Sequence, residues 1–275
     1  QAKNLGFAGG VNVGLEYAIE KKYAYAALFN NDAVANKDWL KYLVKELDEN
    51  TDVGIATCKL LRNDKKHIDS TGDLYTSWGL PFPRGRDELD KAQYDKRALV
   101  FGASGGASLY RVSMLKRVSL FDEDFFAYYE DIDISFRAQL AGWKVAYQPK
   151  AIAYHQVGAT SGKIKGFAAY QSLKNLPWLY WKNVPIAIAL PMFPKIFFAY
   201  WGIFVSNILK GNVVAALKGT LVCHLLLPKK LFFERYEIQK TKVVSNEYIR
   251  SLIHKGPPPN ATKLWKIRSV FVRQK

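Results

Sequence analysis

The chain is poor in cysteine and has an atypical start. Its two cysteines, Cys58 and Cys223, lie far apart and have no histidine or cysteine beside them at metal-ligand spacing. This argues against a disulfide framework or a structural zinc site and favours a reducing compartment. No initiating methionine and no signal peptide open the sequence. Because Gln1–Phe7 is typical of the middle of a domain, we expect the sequence to be a fragment.

Acidic residues are scarce in the second part of the 275-residue chain. Residues 163–275 hold 3 Asp and Glu against 19 Lys and Arg, whereas residues 1–162 hold 21 of each kind. All of the formal net charge of +16 therefore belongs to the second part. The change in charge and the rise in apolar content predict a boundary near Gly162. We expect an α/β domain over residues 1–165 and a basic, apolar, helical region over residues 166–275.

The apolar stretch of residues 177–228 indicates contact with a membrane. The run from Asn183 to Leu209 is long enough to span a bilayer, but Lys195 stands at its centre beside two prolines. We therefore expect in-plane or re-entrant helices on an anionic leaflet, at the cytoplasmic face of the cell membrane, where each Lys or Arg contributes about 1 kcal/mol. The alternatives are a solvated basic tail and a nucleic-acid patch. The density of Leu, Phe and Trp argues against the first, and the lack of a nucleic-acid motif argues against the second.

Alternating helix and strand patterns fill the first part. Leu15, Ala18 and Ile19 share one face of a helix predicted over residues 11–21, and Phe7–Gly10 before it is predicted to be a flexible turn. A helix start behind glycines is a ready anion site. Asp38 can cap a second helix.

Two strands flank this second helix. Tyr25–Phe29 and Val53–Leu61 have strand length, so the order predicts a largely parallel sheet with polar residues at its strand ends. Asn30, Asn31 and Asp32 follow the first strand, at the edge where open α/β sheets bind ligands. The same residues are also ordinary turn formers.

An aromatic and acidic stretch, Phe125–Asp133, is the most informative motif. Clustered carboxylates beside aromatic bulk are costly to hold together unless they are used. The helix that follows should end at Gly142 and pair Asp133 with Arg137 on its outer side, whereas Glu130 and Asp131 lie at its start. The helix dipole favours acids at that position, which is a structural explanation for them.

A lone histidine, His155, follows this stretch. Trp143–Tyr147 and Ala151–Tyr154 are predicted to be two strands flanking Pro149, and they place His155 at the end of an apolar segment. A histidine beside a strand often has a structural role. Carboxylate together with imidazole is, however, the ligand set that divalent-metal chemistry needs.

Six motifs occur in order over about 170 residues. They are Asn-x-Gly-Phe-Ala-Gly-Gly-x-Asn-x-Gly at Asn4–Gly14, Asn-Asn-Asp at Asn30–Asp32, Ile-Asp-Ser-x-Gly at Ile68–Gly72, Gly-x-Ser-Gly-Gly-Ala at Gly102–Ala107, Phe-Asp-Glu-x-Phe-Phe-Ala-Tyr-Tyr-Glu-Asp-Ile-Asp at Phe121–Asp133, and Ala-Tyr-His at Ala153–His155. Together they resemble the rhamnosyltransferase-like branch of the family 2 glycosyltransferases. The resemblance implies a GT-A fold, with a mixed, mainly parallel sheet flanked by helices.

Site residues follow from the same resemblance, position by position. It implies that Asp32 and His155 hold a divalent metal, Mn²⁺ or Mg²⁺, and an imidazole ligand tilts the choice toward Mn²⁺. It makes Asp131 the general base, with Glu130 and Asp122 in supporting roles. The donor-binding positions that it implies are Asn4, Gly9, Gly10, Asn12, Asn31, Asp32, Gly105 and Gly106.

The implied activity is inverting transfer of rhamnose or a similar hexose from a dTDP- or UDP-linked donor. The implied acceptor is a saccharide or a lipid-linked saccharide of cell-surface polysaccharide synthesis, and no nucleic acid is implied. Lys174–Asn175 resembles the Arg-Asn step that ends the family's catalytic domain. The family's first strand and its nucleoside-holding acidic motif have no counterpart here, so a fragment is expected. The competing hypothesis is a catalytically inactive or fragmentary transferase-like protein that binds membrane surfaces.

Overall fold

A computed structural model describes residues 3–156 and 164–258. The predicted boundary near Gly162 lies outside these residues. Helices and strands alternate through the first range, as the sequence predicts. The elements there are α1 (Gly6–Glu20), β1 (Tyr25–Phe29), β2 (Ala33–Ala35), α2 (Trp39–Glu49), β3 (Val53–Arg62), β4 (Ile68–Ser70), β5 (Asp73–Thr76), β6 (Pro81–Pro83), β7 (Ala98–Val100), β8 (Ala107–Arg111), α3 (Val112–Val118), a 3₁₀ turn (Glu123–Phe125), α4 (Glu130–Leu140) and β9 (Lys144–His155).

The large sheet is mixed and flanked by helices, but the expectation that it is mainly parallel is wrong. Its main strand order is β1-β8-β3-β9-β2, with β4 added to β3 and β7 added to β9. Among the described strands of this sheet only β3 and β9 pair in parallel, and the other pairs are antiparallel. The reason lies in the connections. Two paired strands can be parallel only if a crossover connection, usually a helix, separates them along the chain. No helix separates β3 from β4, and these two strands pair antiparallel.

Two local predictions are also wrong. Phe7–Gly10 is not a turn but the first part of α1, because Gly6 takes the turning conformation at φ +71°. The first-turn N–H groups of Phe7 and Ala8 donate to the carbonyl oxygen of Phe126, at 2.7 and 3.2 Å, so protein atoms occupy the expected anion site. At Pro149, the predicted pair of strands is one strand, β9, whose register against β3 shifts there and so accommodates a residue that lacks an N–H donor.

The second range is helical. Its elements are α5 (Phe167–Asn183), α6 (Ile186–Leu209), α7 (Val213–Lys229), a π-helix (Lys230–Glu234), α8 (Arg235–Lys240), α9 (Asn246–Leu252) and β10 (Ile253–His254). Here α6 stays continuous through Pro191 and Pro194. Within the described part of the chain it is the one helix long and apolar enough to cross a membrane, judged by length and composition alone.

The hydrophobic core continues from the sheet domain into these helices. One buried cluster joins Tyr75, Phe101 and Phe136 to Trp178 and Leu179 of α5. In addition, β10 pairs in parallel with β5 and so adds a C-terminal strand to a small sheet of the first range. The two regions defined by composition therefore share one packing unit.

Candidate active site

A cleft of about 500 Å³ opens where several elements end. Its walls come from the ends of β1 and β9, the loop before β8, the start of α4 and the hairpin of β5 and β6. The lining residues that carry chemistry are Asn30, Asp73, Arg86, Gly105, Gly106, Glu130, Asp131 and His155. The cleft therefore gathers carboxylate, imidazole and guanidinium groups from four separate segments of the sequence.

Asp131 lies in the first turn of α4 and faces the cleft. The backbone N–H of Gly105 donates to Oδ2 at 3.1 Å, and the N–H of Ile132 donates to Oδ1 at 2.8 Å. Burial raises the pKa of Asp131, and these two hydrogen bonds limit the rise because they favour the charged form. A Cβ on Gly105 would lie 2.9 Å from the ring of Phe7, so this close approach requires glycine.

Glu130 is more deeply buried than Asp131. Only 6% of the residue is exposed, and Oε2 has no hydrogen-bond partner among the described residues. Burial and then the charge of Asp131 raise the pKa of Glu130 well above its ordinary value. Burial and the neighbouring carboxyl thus both favour the protonated form of Glu130.

A strained turn directly precedes Glu130 and Asp131. Phe126, Tyr128 and Tyr129 have positive φ angles of 64°, 71° and 73°, a conformation that is uncommon for aromatic residues. Asn175 of α5 is fully buried, and its Nδ2 lies within hydrogen-bond distance of the carbonyl oxygens of Phe125, Ala127 and Tyr128, at 3.0, 2.9 and 2.8 Å. Lys174 donates to the carbonyl oxygen of Asp124 at 2.7 Å. The Lys174–Asn175 pair thus stabilises the turn.

His155 and Asp32 meet at the edge of the cleft. The Nε2 atom of His155 lies 3.2 Å from Oδ1 of Asp32 and 3.3 Å from Nδ2 of Asn30. The other ring nitrogen, Nδ1, lies 2.9 Å from Oδ2 of Asp69, and this hydrogen bond raises the pKa of His155. A carboxylate and an imidazole side by side, with a further carboxylate orienting the imidazole, is a donor set that fits a divalent metal.

Three residues in or behind the cleft wall were not predicted from the sequence. Asp69 and Arg86 form an ion pair at 2.8 Å behind His155, and Asp73 is a buried carboxyl in the cleft wall. Burial, together with the charge of Asp131, raises the pKa of Asp73 to about 8. The available signal was the Ile68–Gly72 motif, which contains Asp69 and directly precedes Asp73.

The proposed donor-binding residues separate into two groups. Gly105 and Gly106 line the cleft. Asn4 accepts a hydrogen bond from Gly6 N–H at 2.9 Å, and the side chain of Asn12 bonds the backbone of Phe121 in both directions, so both have structural contacts in α1. These two and the other four lie outside the cleft lining: Gly9 packs against Leu5, Gly10 faces open space, Asn31 is exposed, and Asp32 lies at the edge of the cleft beside His155.

The prediction for Asp133 is half right. It pairs with Arg137 at 2.9 Å, but on a completely buried face of α4 rather than its outer side, because α5 covers that face. Lys182 of α5 lies 3.0 Å from its Oδ1, and Asn183 donates to the same oxygen at 2.7 Å. Burial alone would raise the pKa of Asp133, but the charges of Lys182 and Arg137 lower it.

Asp122 belongs to a second acidic group, which lies outside the cleft. Its carboxylate groups with those of Asp124 and Glu234 within reach of one cation. That cation is the ammonium of Lys230, which lies 2.7, 2.8 and 2.8 Å from them, respectively. Lys182 and Lys229 pair with the same acids, so three lysines compensate the three carboxylates and the cluster is an ion-pair network rather than a metal site.

The cleft thus combines a carboxylate placed as a base with a carboxylate and imidazole pair placed for a metal, which is the kind of site that a metal-assisted transferase requires. The profile of the family described as "Glycosyltransferase like family 2" matches residues 1–175. The chain belongs to this family.

Individual relatives are more distant. Rhamnosyltransferase WbbL of Escherichia coli K12 is 27% identical over 163 residues, which cover 54% of this chain and 60% of the relative. N-acetylglucosaminyl-diphospho-decaprenol L-rhamnosyltransferase of Mycobacterium tuberculosis is 38% identical over 60 residues, 22% of this chain and 20% of the relative. A crystal structure of GalNAc-T7 with UDP, GalNAc and Mn²⁺ matches 66% of this chain and 35% of its own at 12% identity and a TM-score of 0.48. The match therefore spans at most 60% of these proteins.

Proposed function

We propose that the whole protein is an inverting, metal-dependent glycosyltransferase that moves rhamnose or a similar hexose from a dTDP- or UDP-linked donor to a saccharide acceptor. The observation that carries this is the placement of Asp131, held at the cleft by Gly105 and Ile132 and raised in pKa by burial. A carboxylate with a raised pKa is a better proton acceptor than an ordinary aspartate.

In the proposed reaction the Asp131 carboxylate takes the proton of an acceptor hydroxyl while that oxygen forms a bond to the anomeric carbon. The bond to the leaving nucleoside diphosphate breaks on the opposite face, so the configuration inverts. Asp32 and His155 would hold Mn²⁺ or Mg²⁺, which neutralises charge on the leaving diphosphate. Arg86 adds positive charge to the wall of the same cleft.

Measuring transfer by the full-length protein tests this proposal. Purified protein with Mn²⁺ is given dTDP-rhamnose or UDP-hexoses, and the anomeric configuration of the product is read by NMR. Asp131→Asn should lower kcat by about 10³-fold, since it removes the proton acceptor. The matched control is Asp38→Asn, an acid outside the cleft. Equal rates for Asp131→Asn and the unmodified protein, or a product with retained configuration, would refute the proposal.

We propose further that the helical region holds the protein at the cytoplasmic face of the membrane, either peripherally or by re-entrant helices. Exposed apolar side chains support this, because contiguous apolar surface on a protein marks an interaction site. They are Leu190, Phe193, Phe197, Phe198, Trp201, Val205 and Leu209 on α6, Val213, Val214, Leu217, Leu221 and Leu225 on α7, and Phe232 and Phe233 on the π-helix. Such a location suits a lipid-linked acceptor, and the mycobacterial relative is named for a diphospho-decaprenol substrate.

Sedimentation with vesicles tests the location. Phe232 and Phe233 are 69% and 72% exposed, so changing both to Ser should release the protein from vesicles that contain phosphatidylglycerol without unfolding it. Val34→Ser, at an exposed apolar residue of β2, is the control. Vesicle binding that the double change weakens no more than Val34→Ser does, or salt-sensitive binding to oligonucleotides but not to vesicles, would contradict the membrane proposal.

A further inference from the structure

The π-helix joins the helical region to the aromatic and acidic stretch. This stretch and the four residues before it, residues 121–133, form the acidic segment. Lys230, the first residue of the π-helix, is completely buried, and its ammonium binds Asp122 and Asp124 of the acidic segment and Glu234 of its own helix. The ring of Trp178 lies 5.3 Å from the same ammonium. A lysine here is thus enclosed by acids and aromatic rings.

Stability is a weak explanation for this arrangement. Burying an ammonium is costly, and well-packed apolar residues often replace a buried ion network without loss of stability. The better-attested use of such networks is to select one conformation among several. π-helices are also rare, and they are found frequently at functional sites.

The conformation that the ion network would select is that of the turn at residues 126–129 of the acidic segment. Asp122 is the second residue of the segment: its Oδ1 accepts a hydrogen bond from Asp124 N–H at 3.1 Å, and its Oδ2 binds Lys230. Past the turn, Asp131 ends at the cleft. Between them lie three aromatic residues with positive φ, which the surrounding structure must hold in place. Asn175 binds the middle of this turn, whereas Lys230 fixes its first residues.

We propose that Lys230 is a positioning residue, which acts through Asp122 and Asp124 to set the acidic segment so that Asp131 reaches the N–H of Gly105. The proposal rests on the proposed function of Asp131 as the base. It assigns to the C-terminal helices a part in building the catalytic site.

The variant Lys230→Met tests the proposal, and Lys229→Met is its matched control. Lys229 also binds Asp124, at 2.7 Å, but its side chain is 55% exposed. We expect Lys230→Met to lower kcat at least 30-fold while the KM for the donor changes less than 3-fold, and we expect Lys229→Met to stay within 2-fold of the unmodified protein in both.

The pH profile separates positioning from a loss of folded protein. If Asp131 loses the hydrogen bond from Gly105 N–H, its charged form is stabilised less and its pKa rises. The acidic limb of kcat/KM should therefore move to higher pH in Lys230→Met. The other titratable or charged groups near Asp131 are Glu130 beside it and Asp73 and Arg86 across the cleft, and the variant leaves all three unchanged. A smaller folded fraction would lower the rate at every pH without moving the limb.

Hydrogen exchange separates this proposal from the proposed function. Peptides that cover residues 121–133 should exchange at least 10-fold faster in Lys230→Met than in Lys229→Met, while peptides from β3 stay unchanged. This readout needs no donor, so it tests positioning even if the unmodified protein transfers no sugar.

If Lys230→Met does not fold, Glu234→Gln takes its place, since it removes the negative charge of one partner of the ammonium. It should produce smaller changes in the same directions: kcat should fall about 3-fold and exchange of residues 121–133 should become about 3-fold faster. Unchanged kcat, acidic limb and exchange in the folded variant would overturn the proposal.

Discussion

Asn175→Ala should destabilise the protein and loosen the turn before Asp131. The amide of Asn175 has two hydrogens and lies within 3.0 Å of three carbonyl oxygens. Phe125 keeps a second donor in Lys174, at 3.3 Å, so the loss falls on Ala127 and Tyr128. Two buried hydrogen bonds at about 1 to 1.5 kcal/mol each give an expected loss of about 2 to 3 kcal/mol in the free energy of unfolding.

Urea unfolding followed by circular dichroism measures this loss, and hydrogen exchange of residues 121–133 locates it. Gln171→Met is the control, because Gln171 is buried one turn earlier in α5 and its Oε1 has no hydrogen-bond partner among the described residues. The control should cost less than about 1 kcal/mol. If both variants lose the same free energy, or if exchange in the acidic segment does not change, then Asn175 is an ordinary core residue and the reasoning about the turn is wrong.

Two further predictions concern the cleft. Since burial raises the pKa of Asp73 to about 8, the folded chain holds a proton that the unfolded chain releases above about pH 4, and the free energy of unfolding should fall as the pH rises between these values. Asp73→Asn should remove that fall and stabilise the protein by about 1 to 3 kcal/mol at pH 8, measured by urea unfolding at pH 5 and 8; an unchanged pH slope would contradict this. Asp69→Asn should weaken Mn²⁺ binding about 10-fold because His155 loses its orienting partner, as measured by electron paramagnetic resonance, whereas Asp64→Asn on an exposed turn should leave binding unchanged.

The sequence predicted that candidate site residues lie at the ends of regular elements. Asp32 follows β1, His155 ends β9 and Asp131 begins α4, so strand length and helix periodicity were enough to place them at the edges of the sheet. Asp69 and Asp73 were missed because β4 and β5 have only 3 and 4 residues. Such short strands give no readable alternation of apolar and polar residues, and their approach to the cleft depends on tertiary packing.

The error at Asp133 has a different physical origin. The spacing of Asp133 and Arg137 correctly predicted their contact, since residues four apart on a helix are neighbours. That spacing does not reveal whether a second helix covers the pair. Lys182 and Asn183 reach Asp133 from about 50 positions along the chain, a distance over which a local pattern carries no information.

Contacts of buried lysines change the interpretation of the basic charge of residues 163–275. Lys174, Lys182 and Lys230 belong to the positive region, yet all three are buried against the acidic segment. Lys182 and Lys230 compensate acidic groups of the other region and Lys174 binds its backbone carbonyl oxygens, so all three are withdrawn from any membrane surface. The charge asymmetry is thus partly an internal pairing between two regions of one packing unit. The exposed apolar side chains of α6, α7 and the π-helix are for this reason a stronger argument for membrane contact than the net charge of +16.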